Sequence, residues 1–160
     1  MPARPYPRRR AALGTVVAAT LLLGVVQAPP AEARPSPRAK LLRLVNLSRG
    51  RQDLVPVRID RSLSADAGDH TRAMLRQNRI YDPQNLASIL SGYPWTRVGA
   101  AAVGCGATVR GLHRDLMGSS VHRAILLHPD VRRIGIGVIR PDRRNLCGRG
   151  SIWATEILYG

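Results

Sequence analysis

The chain has 160 residues, which is enough for one domain and too few for two of ordinary size. It carries 25 Lys and Arg against 10 Asp and Glu, a formal net charge of +15, so an anionic partner is expected. Nucleic acid is not the expected partner, because the arginines are scattered over helix, loop and strand candidates and no nucleic-acid-binding motif occurs.

Residues 1–33 have the pattern of a secretory signal. Arginines between positions 4 and 10 precede a small or apolar run over residues 11–26, and Ala31-Glu32-Ala33 gives the small-x-small pattern of a cleavage site. The apolar run is shorter than the roughly 20 residues that a bilayer span needs. The sequence therefore predicts a secreted or extracytoplasmic protein with no stable membrane span after cleavage. An uncleaved N-terminal anchor is the alternative.

Two cysteines, Cys105 and Cys147, lie in the part that export would deliver. In an oxidising compartment an even pair is expected to form a disulfide, and two independent buried thiols are the alternative. Closing the loop between them would stabilise the fold by roughly 4 kcal/mol in the chain-entropy description. Two cysteines do not provide the cluster that a structural zinc site requires.

The first predicted elements follow a short proline-rich tether over residues 34–38. A domain is predicted over residues 39–160, and its first helix runs from about Ala39 to Gly50, because leucines and a valine recur at helical spacing. Residues 54–59 alternate as a strand does, but a central proline restricts them to a sheet edge or an extended loop.

A second helix is predicted between a cap at Asp60 or Ser62 and an end at Asn78, because apolar residues fall on one face. A further short helix fits residues 84–90. Residues 98–106 are small and glycine-rich, which suits a tightly packed strand or buried loop.

The last part of the chain alternates helices and strands. Thr108 can cap a third helix, a Gly-Ser-Ser run interrupts it, and a short helix continues over residues 121–127. Residues 134–139 and 151–159 are predicted strands joined by a polar, arginine-rich hairpin around Asp142. Helices that flank a few antiparallel strands indicate an α+β domain in α-β-α layers.

The order of these segments resembles the bacterial branch of the CAP superfamily, which includes cysteine-rich secretory proteins and plant pathogenesis-related proteins. The resemblance implies a three-layer α-β-α sandwich with a small, mainly antiparallel central sheet. The matching segments are LLRLVNLSR (residues 41–49), LSADAGDHTRAML (63–75), LHRDLMGSSVHRAILLHPDVRRIGIGV (112–138) and SIWATEILYG (151–160).

The resemblance also implies a cavity with two histidines and one or two glutamates, which in some members hold a divalent metal. His122 matches one family histidine, whereas Asp82 aligns with the other. Ala100 or Ala101 stands where the family has the glutamate of Gly-Glu-Asn. Glu156 lies on the closing strand, where the family commonly has Gln, and is not assigned to the cavity.

With these donors missing, a non-enzymatic binding module for a lipid-like or cell-envelope ligand is the favoured hypothesis, without a cofactor or catalytic residues. Replacing a buried carboxylate by alanine makes a cavity less polar, which favours lipid-like contents. One alternative is a divalent-metal site, with or without hydrolytic activity, built from His122, Asp82 and His113; it would have to reach about three protein ligands. The other is a basic adhesin for anionic envelope polymers.

Overall fold

The structure, a computed structural model, describes Met1 and residues 34–160, so the predicted signal sequence lies outside the described residues. Residues 34–160 form one compact unit. No helix in that range has the length and apolarity to cross a membrane. Its helices are α1 Pro37–Gly50, α2 Arg61–Gln77, α3 Leu86–Leu90, α4 Val109–Gly118 and α5 Ser120–Leu126, and its strands are β1 Arg58–Ile59, β2 Gly99–Gly106, β3 Arg133–Ile139 and β4 Ile152–Tyr159.

The four strands form one sheet in the order β1-β3-β4-β2. The two-residue β1 pairs in parallel with β3 at the sheet edge, as expected after Pro56. β4 is central and pairs antiparallel with both β3 and β2, so that Glu156 lies between Ile136 and Ala102. The predicted mainly antiparallel sheet is confirmed.

Helices cover both faces of the sheet, which confirms the predicted α-β-α sandwich. Even-numbered residues of β4, such as Ala154 and Leu158, pack in the larger core with α1, α4 and α5. Odd-numbered residues, such as Trp153 and Ile157, pack on the opposite face against α2. The face on which a β4 side chain lies therefore decides which helical layer it meets.

α2 lies unusually close to the backbone of β3. A Cβ at Gly135 would come within 2.4 Å of the Leu63 carbonyl carbon, and one at Gly137 within 2.3 Å of the Ala67 carbonyl carbon. Hydroxyl groups join the two elements at this distance, since the Ser64 hydroxyl accepts a hydrogen bond from the Ile136 amide over 3.1 Å. The glycines of the Ile-Gly-Ile-Gly run are thus required by helix–sheet contact.

The helix caps explain where the helices begin. Asp60 and Thr108 accept hydrogen bonds from the amides of Leu63 and Gly111, as the sequence predicts. α1 begins at Pro37, two residues before the predicted start, because Ser36 caps it and proline is well tolerated in the first turn. The predicted tether of residues 34–38 is therefore reduced to residues 34–36.

The disulfide between Cys105 and Cys147 is present, which confirms the predicted pairing. Its Cα atoms are 6.2 Å apart, within the usual range for such bonds. It attaches the β3–β4 connection, residues 140–151, to the end of β2.

Arg49 is fully buried at the end of α1, and its side chain donates only to backbone carbonyls. Its Nε donates to Val55 over 2.9 Å, and its Nη1 donates to Leu126 and His128 over 2.8 and 3.0 Å. Its Nη2 donates to Val131 over 3.2 Å. The guanidinium therefore joins the end of α1 to the loop that follows it and to residues 126–131, which are distant in sequence.

We expect Arg49→Leu to lower the free energy of unfolding by about 3–5 kcal/mol, because it leaves four backbone carbonyls without their donor, two of them in buried hydrogen bonds. Arg51→Leu is the matched control, since Arg51 is exposed two residues further on. It should change stability by less than about 0.5 kcal/mol. Urea denaturation measures both variants, and similar losses in the two would contradict the role of Arg49.

Candidate functional site

The two alanines at the position of the family glutamate point to opposite faces of the sheet. Ala101 is buried in the core formed by α2 and α3. Ala100 is half-buried and pairs with Leu158, which faces the layer of α1, α4 and α5. Only Ala100 therefore lies on the face that carries the candidate histidines.

His113 lies on the inner side of α4 and is 7% exposed. Its Nε2 is 2.9 Å from the Ser48 hydroxyl of α1, while its Nδ1 has no partner among the described residues. Burial lowers the pKa of His113, and the nearby Arg51 lowers it further. The imidazole is consequently neutral at neutral pH and joins two helices.

His122 lies in the first turn of α5 and is half-buried. Its backbone amide donates to the Ser119 hydroxyl that caps the helix. In the part of the chain that the structure describes, its imidazole ring makes no hydrogen bond. Its ring is thus free to accept a ligand or a water molecule.

Asp82 is exposed and follows α2, on the other side of the sheet from α4 and α5. The His70 ring holds this segment on α2 through the Tyr81 carbonyl, 2.8 Å away. Within residues 34–160, no three His, Cys, Asp or Glu side chains approach closely enough to hold a metal ion. The described fold thus does not assemble His122, Asp82 and His113 into one site.

Glu156, which the sequence left unassigned, lies on the same face as Ala100. It pairs across the strands with Ala102, so Ala100 is its diagonal neighbour at roughly 7–8 Å. The side chain is fully buried, and neither carboxyl oxygen has a partner among the described residues. Burial raises the pKa of Glu156 to about 8, so the group is protonated and uncharged at neutral pH.

Sequence reasoning also missed an open acidic cleft of about 740 Å³ between α2 and the segment after α3. Its carboxylates are already engaged: Asp60 accepts from the Tyr159 hydroxyl over 2.9 Å, and Asp66 accepts from the Tyr93 hydroxyl. Burial and these carboxylates raise the pKa of both tyrosines. The pairs fasten β4 and the segment after α3 onto α2.

A smaller groove, the α1–α4 groove, has a volume of about 270 Å³. Its apolar part is formed by Pro35, Leu44 and Leu47, and Leu47 is 49% exposed. Its cationic side chains are Lys40, Arg43 and Arg110. Apolar surface bordered by cations suits an anionic amphiphile.

These features define an α-β-α sandwich. His113, His122 and the buried carboxyl of Glu156 lie on the face of the sheet that α1, α4 and α5 cover. Residues 42–149 match the family described as CAP, the cysteine-rich secretory protein family. The chain belongs to this family. A search of curated proteins gives no significant match.

Solved structures with the same fold come from several bacteria. An extracellular protein containing an SCP domain from Bacillus anthracis has a TM-score of 0.60 at 16% identity and covers 76% of this chain. A cysteine-rich secretory protein from Staphylococcus aureus has a TM-score of 0.59 at 22% identity and covers 84%. This chain spans 39% and 42% of their lengths.

An outer surface protein from Borrelia burgdorferi is nearer in size. Its TM-score is 0.62 at 12% identity, and the match covers 78% of this chain and 93% of that one. At such identities these likenesses establish the fold, while function has to be argued from the site.

We expect Glu156→Gln to remove a pH dependence of stability. The folded pKa of about 8 exceeds the ordinary value of 4.5, so the folded chain holds the proton more tightly. Stability contributed by this group is full below pH 4.5, declines as pH rises and is lost above about pH 8. The variant cannot ionise, so its stability relative to the native chain should rise by on the order of 5 kcal/mol between acid and alkaline pH.

Urea denaturation of both proteins between acid and alkaline pH measures this difference directly. Other titrating groups contribute equally to both chains, so the difference between the two curves isolates Glu156. A difference that stays constant with pH would show that the carboxyl is not shielded from solvent.

Proposed function

We propose that the protein is an exported, non-enzymatic CAP-domain binding module that holds a lipid-like anionic ligand in the α1–α4 groove. The signal-like sequence of residues 1–33 supports export. The extracellular and outer-surface descriptions of the structural relatives agree with this location. The juxtaposition of exposed Leu47 with Arg43 and Arg110 carries the proposal.

The groove matches the two parts of such a ligand. Leu44 and Leu47 offer apolar surface to a hydrocarbon chain, at about 25 cal/mol per Å² covered. Arg43 and Arg110 come from different helices and can pair with one carboxylate or phosphate head group. The groove volume of about 270 Å³ lies just below the roughly 300–1,000 Å³ of typical ligand sites. The groove would therefore take a single acyl chain rather than a whole phospholipid.

The environment of His122 supports binding without catalysis. Glu156 is uncharged at neutral pH and sealed from solvent, and His113 is neutral and engaged with Ser48. A hydrolytic site would need a nucleophile or metal-bound water beside a group that takes a proton. No such pairing occurs around His122 in residues 34–160.

The groove is tested with a fluorescent fatty acid, cis-parinarate. We expect Leu47→Gln to weaken its binding about fivefold, because an apolar contact worth roughly 1 kcal/mol is lost. Arg43→Gln with Arg110→Gln should weaken it further and reduce its salt dependence. Val55→Gln is the matched control, because Val55 is a comparably exposed apolar residue outside the groove.

Mass spectrometry of lipids extracted from the purified protein gives a second readout. Absence of both co-purified lipid and parinarate binding, or equal weakening by Val55→Gln, would contradict the proposal. Calorimetric titration with zinc distinguishes this proposal from the metal-site alternative. That alternative requires tight zinc binding that His122→Ala abolishes.

A further inference from the structure

The arginines, scattered along the sequence, come together at one end of the fold. The β3–β4 connection carries Arg140, Arg143, Arg144 and Arg149, and Asp142 is its only acidic residue. Arg76, in the last turn of α2, lines the same cleft as Arg143 and Arg144. All of these arginines are exposed, and none forms an ion pair within residues 34–160.

The arginine cleft has a volume of about 180 Å³. Three arginines and two asparagines line it. Arg143 also donates to the Leu75 carbonyl over 3.2 Å, which fixes its orientation against α2. The lining consists of Leu75, Arg76, Asn78, Arg143, Arg144 and Asn145.

The loop that presents these arginines is held by hydrogen bonds. The Asn145 Oδ1 accepts from the Cys147 amide, the Ser151 hydroxyl and the Trp153 indole over 2.9–3.0 Å. The Asn78 Oδ1 accepts from the Leu146 amide over 2.7 Å, which leaves its amide nitrogen as a donor.

Covalent and packing contacts hold the same loop to the sheet. The disulfide from Cys147 joins it to β2, and Trp153 packs beneath it with Met74 and Leu75 of α2. Little backbone ordering entropy therefore remains to oppose ligand binding.

We propose that the arginine cleft binds a phosphate group. Arg forks pair with phosphate oxygens in a bidentate manner, which a diffuse field of lysines does not reproduce. The cleft is smaller than a typical small-molecule site of roughly 300 Å³, so it fits one phosphate group. The proposal shares no residue with the α1–α4 groove and does not depend on it.

The test measures binding of inorganic polyphosphate by calorimetry at several salt concentrations. We expect Arg143→Gln with Arg144→Gln to weaken binding at least about tenfold and to reduce the salt slope by about two. Arg58→Gln with Arg61→Gln is the control, because it removes the same charge from exposed arginines. Arg61 and Arg76 lie roughly 22 Å apart along α2 at 1.5 Å per residue.

The control variant should bind within about twofold of the native chain, since screening confines charge effects to roughly 10 Å at moderate salt. Co-sedimentation with vesicles of equal parts phosphatidylcholine and phosphatidylglycerol identifies the source of the phosphate. Binding to vesicles alone, lost in the cleft variant, would support the cleft and assign it to lipid head groups. Equal weakening by both double variants, or no binding to either probe, would overturn the proposal.

Discussion

The layer of α1, α4 and α5 depends on the hydrogen bonds that the buried guanidinium of Arg49 donates to backbone carbonyls. One backbone carbonyl from Val55 and three from residues 126–131 converge on it, and no carboxylate balances its charge among the described residues. Burial, aided by Arg132, lowers the pKa of Arg49, so the carbonyl dipoles have to offset that desolvation. Asn46, one turn earlier on α1, pairs with both backbone groups of Val57. Together they position α1 over the sheet, and α1 in turn provides Ser48 to His113 and Leu47 to the α1–α4 groove.

The same layer shows why burial and metal chemistry conflict in this chain. A metal ligand must be deprotonated and must reach the ion, and Glu156 meets neither condition at neutral pH. Its surroundings, Ala102 and Ile136, are apolar and offer no hydrogen bond to either carboxyl oxygen. His113 is likewise neutral and already engaged with Ser48. The polar side chains of His113 and Glu156 are therefore part of the packed layer. Neither of them forms a hydrogen bond with the ring of the more exposed His122.

Much of the fold could be predicted because its signals are local. The caps at Asp60 and Thr108, the apolar spacing of α2 and the β-branched run of β3 each act within a few residues. The disulfide could be predicted from the number of cysteines and from the signal-like pattern of residues 1–33, which predicts export. The candidate site was harder to predict than the fold, because it depends on which face of the sheet each side chain occupies. Ala100 and Ala101 look equivalent in sequence, yet the sheet separates their side chains, and the register alone brings Glu156 beside Ala100.

The clustering of arginines could not be predicted for a related reason. The positions of charged residues along the sequence do not show which of them come close together in the folded chain. Arg76 and Arg143 are separated by α3, β2, α4, α5 and β3, but α2 lies along β3 and ends where that strand ends. The β3–β4 connection must therefore pass the end of α2, and Cys147 and Asn145 fix it there. Mutual repulsion of unpaired guanidinium groups costs stability, and a loop free to move would relieve it by spreading. Because this loop is covalently and sterically held, the arginines stay close together in the free protein, and an anion bound between them would reduce their mutual repulsion with little rearrangement of the backbone.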